Sequence, residues 1–160
     1  RMPDGDYESL KKHVDELDPD DQSEVARTQR AQVSSFKEWA AANELRHRIR
    51  WQWHDFFENY DVLLTPTTPT PAFKHDHRKF GDRTLMVDNE ERNYFEGVFW
   101  AGLSGVAYLP STILPTGLGV DGLPIGVQII GPEYSDLVTI GLAGELETMG
   151  FKFVPPKNYI

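Results

Sequence analysis

The sequence predicts an α/β fold. Apolar residues recur at helical spacing in four stretches, three short strand-type runs lie among them, and Pro and Gly punctuate the joins. The order is helices, strand, helix, strand, strand, helix, with no internal repeat, in 160 residues, the size of one ordinary domain or one lobe of a larger one.

Between Asp4 and Asp18, Leu10, Val14 and Leu17 fall at helical spacing behind leading acidic residues, and Pro19 closes a short amphipathic helix. From Asp21 to Tyr60 there is neither Pro nor Gly. Leu45, Ile49, Trp53, Phe56 and Tyr60 stand four, four, three and four apart, so the stretch reads as one long helix, or two in line, with an aromatic inner face.

Val62-Leu63-Leu64-Thr65 is a buried-strand run cut off by Pro66, Pro69 and Pro71. Residues 74 to 89 are polar and unpatterned and read as a surface excursion. From Arg92 to Ser104, Phe95, Val98, Phe99 and Leu103 follow helical spacing, with Gly105 placed to end the helix.

Tyr108 to Leu114 reads as extended, followed by Pro115-Thr116-Gly117. Asp121-Gly122-Leu123-Pro124 signals a turn before the strand-length run Ile125 to Ile130, which Gly131-Pro132 stops. Asp136 to Met149 repeats apolar residues at Leu137, Ile140, Leu142 and Leu146 and ends at Gly150, a helix with a glycine terminator.

Composition narrows the function classes. Hydrophobic residues make up 39% and charged ones 26%, as in ordinary soluble proteins, and no apolar run approaches the ~20 residues of a membrane span. The formal charge of −9 repels phosphate backbones, so neither nucleic acid nor membrane is an expected partner. With no cysteine, disulfides, thiolate nucleophiles and cysteine metal sites are excluded. The opening Arg-Met-Pro-Asp-Gly-Asp has no signal-peptide pattern and reads as a start partway through a longer product, and a cytoplasmic location is expected.

Two motifs carry a resemblance. Tyr108-Leu109-Pro110-Ser111-Thr112-Ile113-Leu114-Pro115-Thr116-Gly117, followed by Gly122-Leu123-Pro124-Ile125-Gly126-Val127-Gln128-Ile129-Ile130-Gly131, resembles the C-terminal hallmark of amidase-signature enzymes: Gly-Leu-Pro-Ala, an apolar strand, Pro-x-Gly, a turn, then Gly-Leu-Pro-x-Gly-x-Gln-x-x-Gly. Upstream, Tyr60-Asp61-Val62-Leu63-Leu64-Thr65-Pro66-Thr67-Thr68-Pro69 is similar to the family's Tyr-Asp-x-Leu-Leu-x-Pro-Thr. The resemblance is firm from about Asp55 to Pro155. Tyr108 departs from the first glycine of Gly-Leu-Pro, and Gly105 stands where many members carry asparagine, which points to a subgroup.

The resemblance implies the C-terminal part of the amidase-signature fold, a mixed β-sheet flanked by helices, with residues 1–60 a helical segment and 61–160 the α/β part. It implies an amidase in which a serine attacks the amide carbonyl, a second serine joined by a cis peptide relays protons, and a lysine, its pKa lowered by burial, acts as base. Both serines and the glycine-serine-rich oxyanion loop belong to the family's N-terminal and central region, and no such run occurs here. No catalytic residue is therefore assigned, this chain alone is expected to be inactive, and no metal or organic cofactor is implied.

What these residues are expected to supply is sheet, and one wall of the acyl pocket, with Thr67, Phe73, Phe99 and Trp100 as the substrate-binding candidates. Prolines 66, 69 and 71 either hold that loop rigid for substrate placement or only terminate a strand. Phe95, Phe99 and Trp100 either line a pocket or, the commoner role of aromatics at helical spacing, pack in the core.

Several lookalikes have blander readings. Ser34-Ser35-Phe36-Lys37 fits Ser-x-x-Lys without its companion motifs, and Gly102-Leu103-Ser104-Gly105 lacks one residue of a nucleophile elbow. His75-Asp76-His77 offers metal-ligand chemistry without further clustered ligands, and Lys11-Lys12-His13 and Arg46-His47-Arg48 read as solvated helix faces. The alternatives to an amidase are an amidotransferase A-type subunit and a non-catalytic scaffold or dimerisation lobe. The expected partners are a small-molecule amide, the N-terminal part of the same protein, and a second copy, because a fragment exposes surface that promotes self-association.

Overall fold

The computed structural model describes residues 2–119 and 122–155; Arg1 and Asp121, the first residue of the expected turn, lie outside them. Contacts divide the chain into two units, 1–45 and 46–160.

The first unit holds α1 (Asp4–Asp15), α2 (Glu24–Gln32) and the start of α3 (Phe36–Phe57). Two local devices fix the connection ahead of α2. Ser23 caps the helix by accepting from the Ala26 N–H at 3.2 Å, and Arg30 donates back to the Asp21 and Asp18 carbonyls at 2.6 and 2.7 Å. Ala26 is buried here.

The 21–60 stretch is thus two helices. The break at Val33-Ser34-Ser35 comes from a capping box: the Ser35 N–H and hydroxyl both donate to the Glu38 carboxylate at 2.7 Å, while Ser35 Oγ accepts from the Glu38 N–H at 3.3 Å. These bonds hold the Glu38 pKa below the usual carboxylate range. They also give Ser35, part of the Ser-x-x-Lys lookalike, a structural job.

The second unit is built on a three-stranded sheet of β1 (Leu63–Pro66), β4 (Ser111–Leu118) and β5 (Pro124–Ile130), in the order β1-β5-β4, both pairs antiparallel. The central β5 carries the longest apolar run, as a strand flanked on both edges should. Its Ile129 and Ile130 are fully buried, each contributing about 1.5–3 kcal/mol. β4 carries a register irregularity between Pro115 and Gly117, where Gly117 takes φ +114°.

Pleating sends Thr112, Leu114 and Ile129 to one face and Gln128, Ile130 and Thr65 to the other. α5 (Asp136–Thr148) packs on the first, where its buried Thr139 shares a 2.9 Å hydroxyl bond with Thr112. Gly131 makes that approach possible, since a Cβ there would stand 2.7 Å from the Thr139 methyl.

On the other face lies the first turn of α4 (Phe99–Ala107), preceded by a 3-10 segment Tyr94–Val98. The helix runs past Gly105, the expected terminator, to Tyr108 in the left-handed conformation (φ 59°, ψ 33°). Ser104 of the elbow lookalike is buried inside the helix, its hydroxyl donating to the Ala101 carbonyl at 3.3 Å.

The polar stretch 74–89 is not featureless. β2 (Thr84–Val87) pairs with β3 (Glu90–Asn93) through Asp88-Asn89, both at positive φ, a two-residue turn of the kind that Asn and Asp tolerate.

The chain exposes 12,430 Å². Leu137, Trp51, Ile113 and Leu118 are each more than 60% exposed. Part of the exposed surface is thus made of large apolar side chains.

Candidate functional site

The four candidate wall residues lie on two segments, the loop after β1 and the start of α4. Thr67 is half-buried just past β1, and Phe73 is exposed with its ring edge-on to Tyr94 at 5.9 Å. Phe99 is 60% exposed and Trp100 half-buried, their rings 5.2 Å apart. Neither Phe95 nor Phe99 is core in this chain; both face solvent.

Gln128 joins the two segments. It is 3% exposed on the central strand, and its amide donates to the Trp100 carbonyl at 3.1 Å and to Thr65 Oγ1 at 3.4 Å. Thr65 stands two residues before Thr67 and is itself buried. One buried amide thus ties the end of β1 to the first turn of α4, through the Trp100 carbonyl and not its ring. The sequence pattern places Gln128 within its motif but assigns it no role. The available signal was a lone amide inside Ile-Gly-Val-Gln-Ile-Ile, since a polar side chain in a buried strand needs partners.

A second cluster surrounds Tyr108. Its backbone N–H bonds to the Gly105 carbonyl at 3.4 Å and the Leu109 N–H to the Ser104 carbonyl at 3.0 Å, closing α4. The Arg46 guanidinium lies 4.3 Å from the ring centroid and donates to the hydroxyl, and Arg50 stands 5.5 Å from the centroid. Arg50 also pairs with Glu133. Arg46 and Arg48 read as a solvated face; Arg46 instead reaches across to α4. A hollow of about 270 Å³ beside Arg50, His54, Phe57 and Glu133 therefore has its guanidinium already matched by a carboxylate.

Among the described residues no three His, Cys, Asp or Glu side chains gather to hold a metal. His75 and His77 lie 6.2 Å apart ring to ring, but the Asp76 between them is engaged by Arg78, whose Nε and Nη2 donate to its carboxylate at 3.0 and 2.8 Å. Those bonds hold Asp76 below its ordinary pKa and push Arg78 up.

The family profile described as Amidase matches residues 16–139. The chain belongs to the amidase family. The A subunit of glutamyl-tRNA(Gln) amidotransferase from Bacillus thuringiensis (strain Al Hakam) is 32% identical over 106 residues, 66% of this chain and 20% of the relative, and the Bacillus cereus (strain B4264) protein of that name aligns with the same figures. The chain spans about a fifth of the length of these relatives.

Among solved structures, an amidase superposes with TM-score 0.64 at 22% identity, over 89% of this chain and 31% of its own. The A subunit of glutamyl-tRNA(Gln) amidotransferase from Thermotoga maritima gives 0.61 at 22%, over 92% and 28%. A bacterial aryl acylamidase of the amidase-signature family gives 0.59 at 23%, over 90% and 31%. The amidase fold is thus common to all three, with helices and antiparallel strands arranged as α/β. Among the described residues no helix is long and apolar enough to cross a membrane.

In this amidase-family chain, the αL backbone at Tyr108 accounts for the glycine of the Gly-Leu-Pro pattern: a residue without Cβ adopts that conformation at no steric cost.

Proposed function

We propose that this chain is the C-terminal part of an amidase-signature hydrolase that cleaves a carboxamide C–N bond, giving a carboxylate and ammonia or an amine. The attacking serine, the cis-linked second serine and the lysine base then lie outside these residues. The helical segment 1–60 leads into the α/β part 61–160, and Thr67, Phe73, Phe99 and Trp100 form one wall of the acyl pocket. The substrate is a small amide met in the cytoplasm, and no metal or organic cofactor is called for.

The observation that carries this reading is the buried Gln128 bridge. A pocket wall must hold its residues within a fraction of an ångström, and a buried amide bonded to Thr65 Oγ1, at the end of β1, and to the Trp100 carbonyl supports both segments without using the side chains of the four wall residues. The exposed apolar surface supports the companion claim, that further residues of the same protein cover these faces.

Ammonia release from a panel of simple amides tests it. A longer polypeptide containing this chain releases ammonia and the 160-residue chain alone does not; a longer polypeptide inert on every amide would favour the scaffold reading.

The 32% identity to amidotransferase A-type chains favours a second reading, in which ammonia passes to a partner protein acting on charged tRNA. Ammonia that appears only when such a partner is added distinguishes it.

A further inference from the structure

We propose that the hollow between residues 73–77 and Arg83–Tyr94 is a binding site for a small aromatic carboxylate. It measures about 270 Å³, just below the range for drug-sized ligands, and is lined by Phe73, Lys74, His75, Asp76, His77, Arg83 and Tyr94.

Charge is the first argument. In a chain of net charge −9, residues 74–83 carry Lys74, Arg78, Lys79 and Arg83 against Asp76 and Asp82 alone, besides two histidines. Asp76, the carboxylate in the lining, is satisfied by Arg78 through its side chain and its N–H at 2.9 Å. Arg78 in turn donates to Thr84 Oγ1 at 3.1 Å. The other charged side chains of the lining are both cationic, Lys74 and Arg83, the latter close enough to Asp76 to act on its carboxylate.

Arg83 is also pre-set. Its Nε donates to the Arg78 carbonyl at 2.9 Å, and its guanidinium carbon stands 6.0 Å from the Phe80 ring and 5.7 Å from the Tyr94 ring. That bond uses Nε, which leaves the terminal nitrogens in the fork geometry that grips a carboxylate through two parallel bonds. Phe73 and Tyr94, edge to face at 5.9 Å, give an arene a ring to pack against. Phe73 is also one of the proposed acyl-wall residues, so the aromatic half of the site rests on that reading, whereas the grip of Lys74 and Arg83 on a carboxylate does not.

Calorimetric titration of the protein with benzoate, benzamide and inorganic phosphate tests the proposal. Benzoate binds saturably at one site and weakens with added salt, and benzamide, which has the same ring without the charge, binds on the order of tenfold more weakly or not at all. Arg83→Gln and Lys74→Met each weaken benzoate several-fold; Lys74 is exposed, so its variant decides the matter should Arg83→Gln disturb the hairpin. Absence of benzoate binding, equal binding of benzamide, or a Lys74→Met variant that binds as the parent does would overturn the proposal. Phosphate binding as tight as benzoate would overturn its aromatic half.

Discussion

Arg46 holds its guanidinium 4.3 Å from the centre of the Tyr108 ring while donating to the phenol oxygen of the same side chain. The tyrosine so held is one of four described non-glycine residues at positive φ, at the point where α4 ends. A side chain with a Cβ loses about 1–2 kcal/mol in that conformation, and a cation over the ring returns about 0.5–1 kcal/mol.

The two terms separate by substitution. Tyr108→Ala keeps the strained backbone and removes the ring, so it destabilises; Tyr108→Gly removes the ring and the strain together. Urea denaturation shows the glycine variant more stable than the alanine variant by about 1 kcal/mol. Equal stabilities would place Tyr108 outside the left-handed region.

Gln128 makes a different prediction. Gln128→Leu leaves the Trp100 carbonyl and the Thr65 hydroxyl without their donor, at a cost of about 1–3 kcal/mol. Gln128→Glu is informative through its pH dependence. A carboxylate buried against a carbonyl oxygen has its pKa raised, so the folded state binds the proton more readily than the unfolded state, and stability falls as pH rises through the raised pKa. Denaturation midpoints across the acid-to-neutral range therefore show a larger deficit at neutral pH than at acid pH.

Glu38 gives the opposite sign. Its pKa is lowered by the Ser35 hydroxyl and N–H, so the helix start it secures is fully formed above the unfolded carboxylate pKa and is lost as pH falls through the lowered one. Amide protection factors at Ser35 and in the first turn of α3, each referred to the intrinsic exchange rate at that pH, fall on acidification. The same measurement on Glu38→Gln, which keeps an acceptor that does not titrate, loses that pH dependence.

The surface of the isolated chain predicts self-association. With 12,430 Å² exposed and Leu137 and Ile140 of α5 at 83% and 55%, light scattering at high concentration reports a dimer or larger species. Leu137→Lys and Ile140→Lys together lower the association without touching the buried Thr139. A monomer at every concentration would count against the exposed faces being sites of burial.

The elements with strong periodicity or apolar runs are legible from sequence: β1, β5 and α5 each begin or end within a residue or so of expectation. Local hydrogen bonding hides the rest. The break between α2 and α3 depends on Ser35 and Glu38 bonding to each other, which a hydrophobic pattern does not register. The β2–β3 hairpin turns on Asp88-Asn89, a polar pair that reads equally well as loop. Gly105 looks like a helix end, yet α4 continues past it because Tyr108 takes the left-handed position. At the candidate wall, the sequence points to Thr67, Phe73, Phe99 and Trp100 but not to Gln128, whose role emerges only once β1, β5 and α4 are brought together.

The bond from Gln128 to position 100 is made to a main-chain oxygen, which every amino acid possesses. The attachment is thus indifferent to what side chain stands there. Substitution at 100 can change the side chain that stands there while the strand-to-helix joint persists, so this position varies without first solving a folding problem.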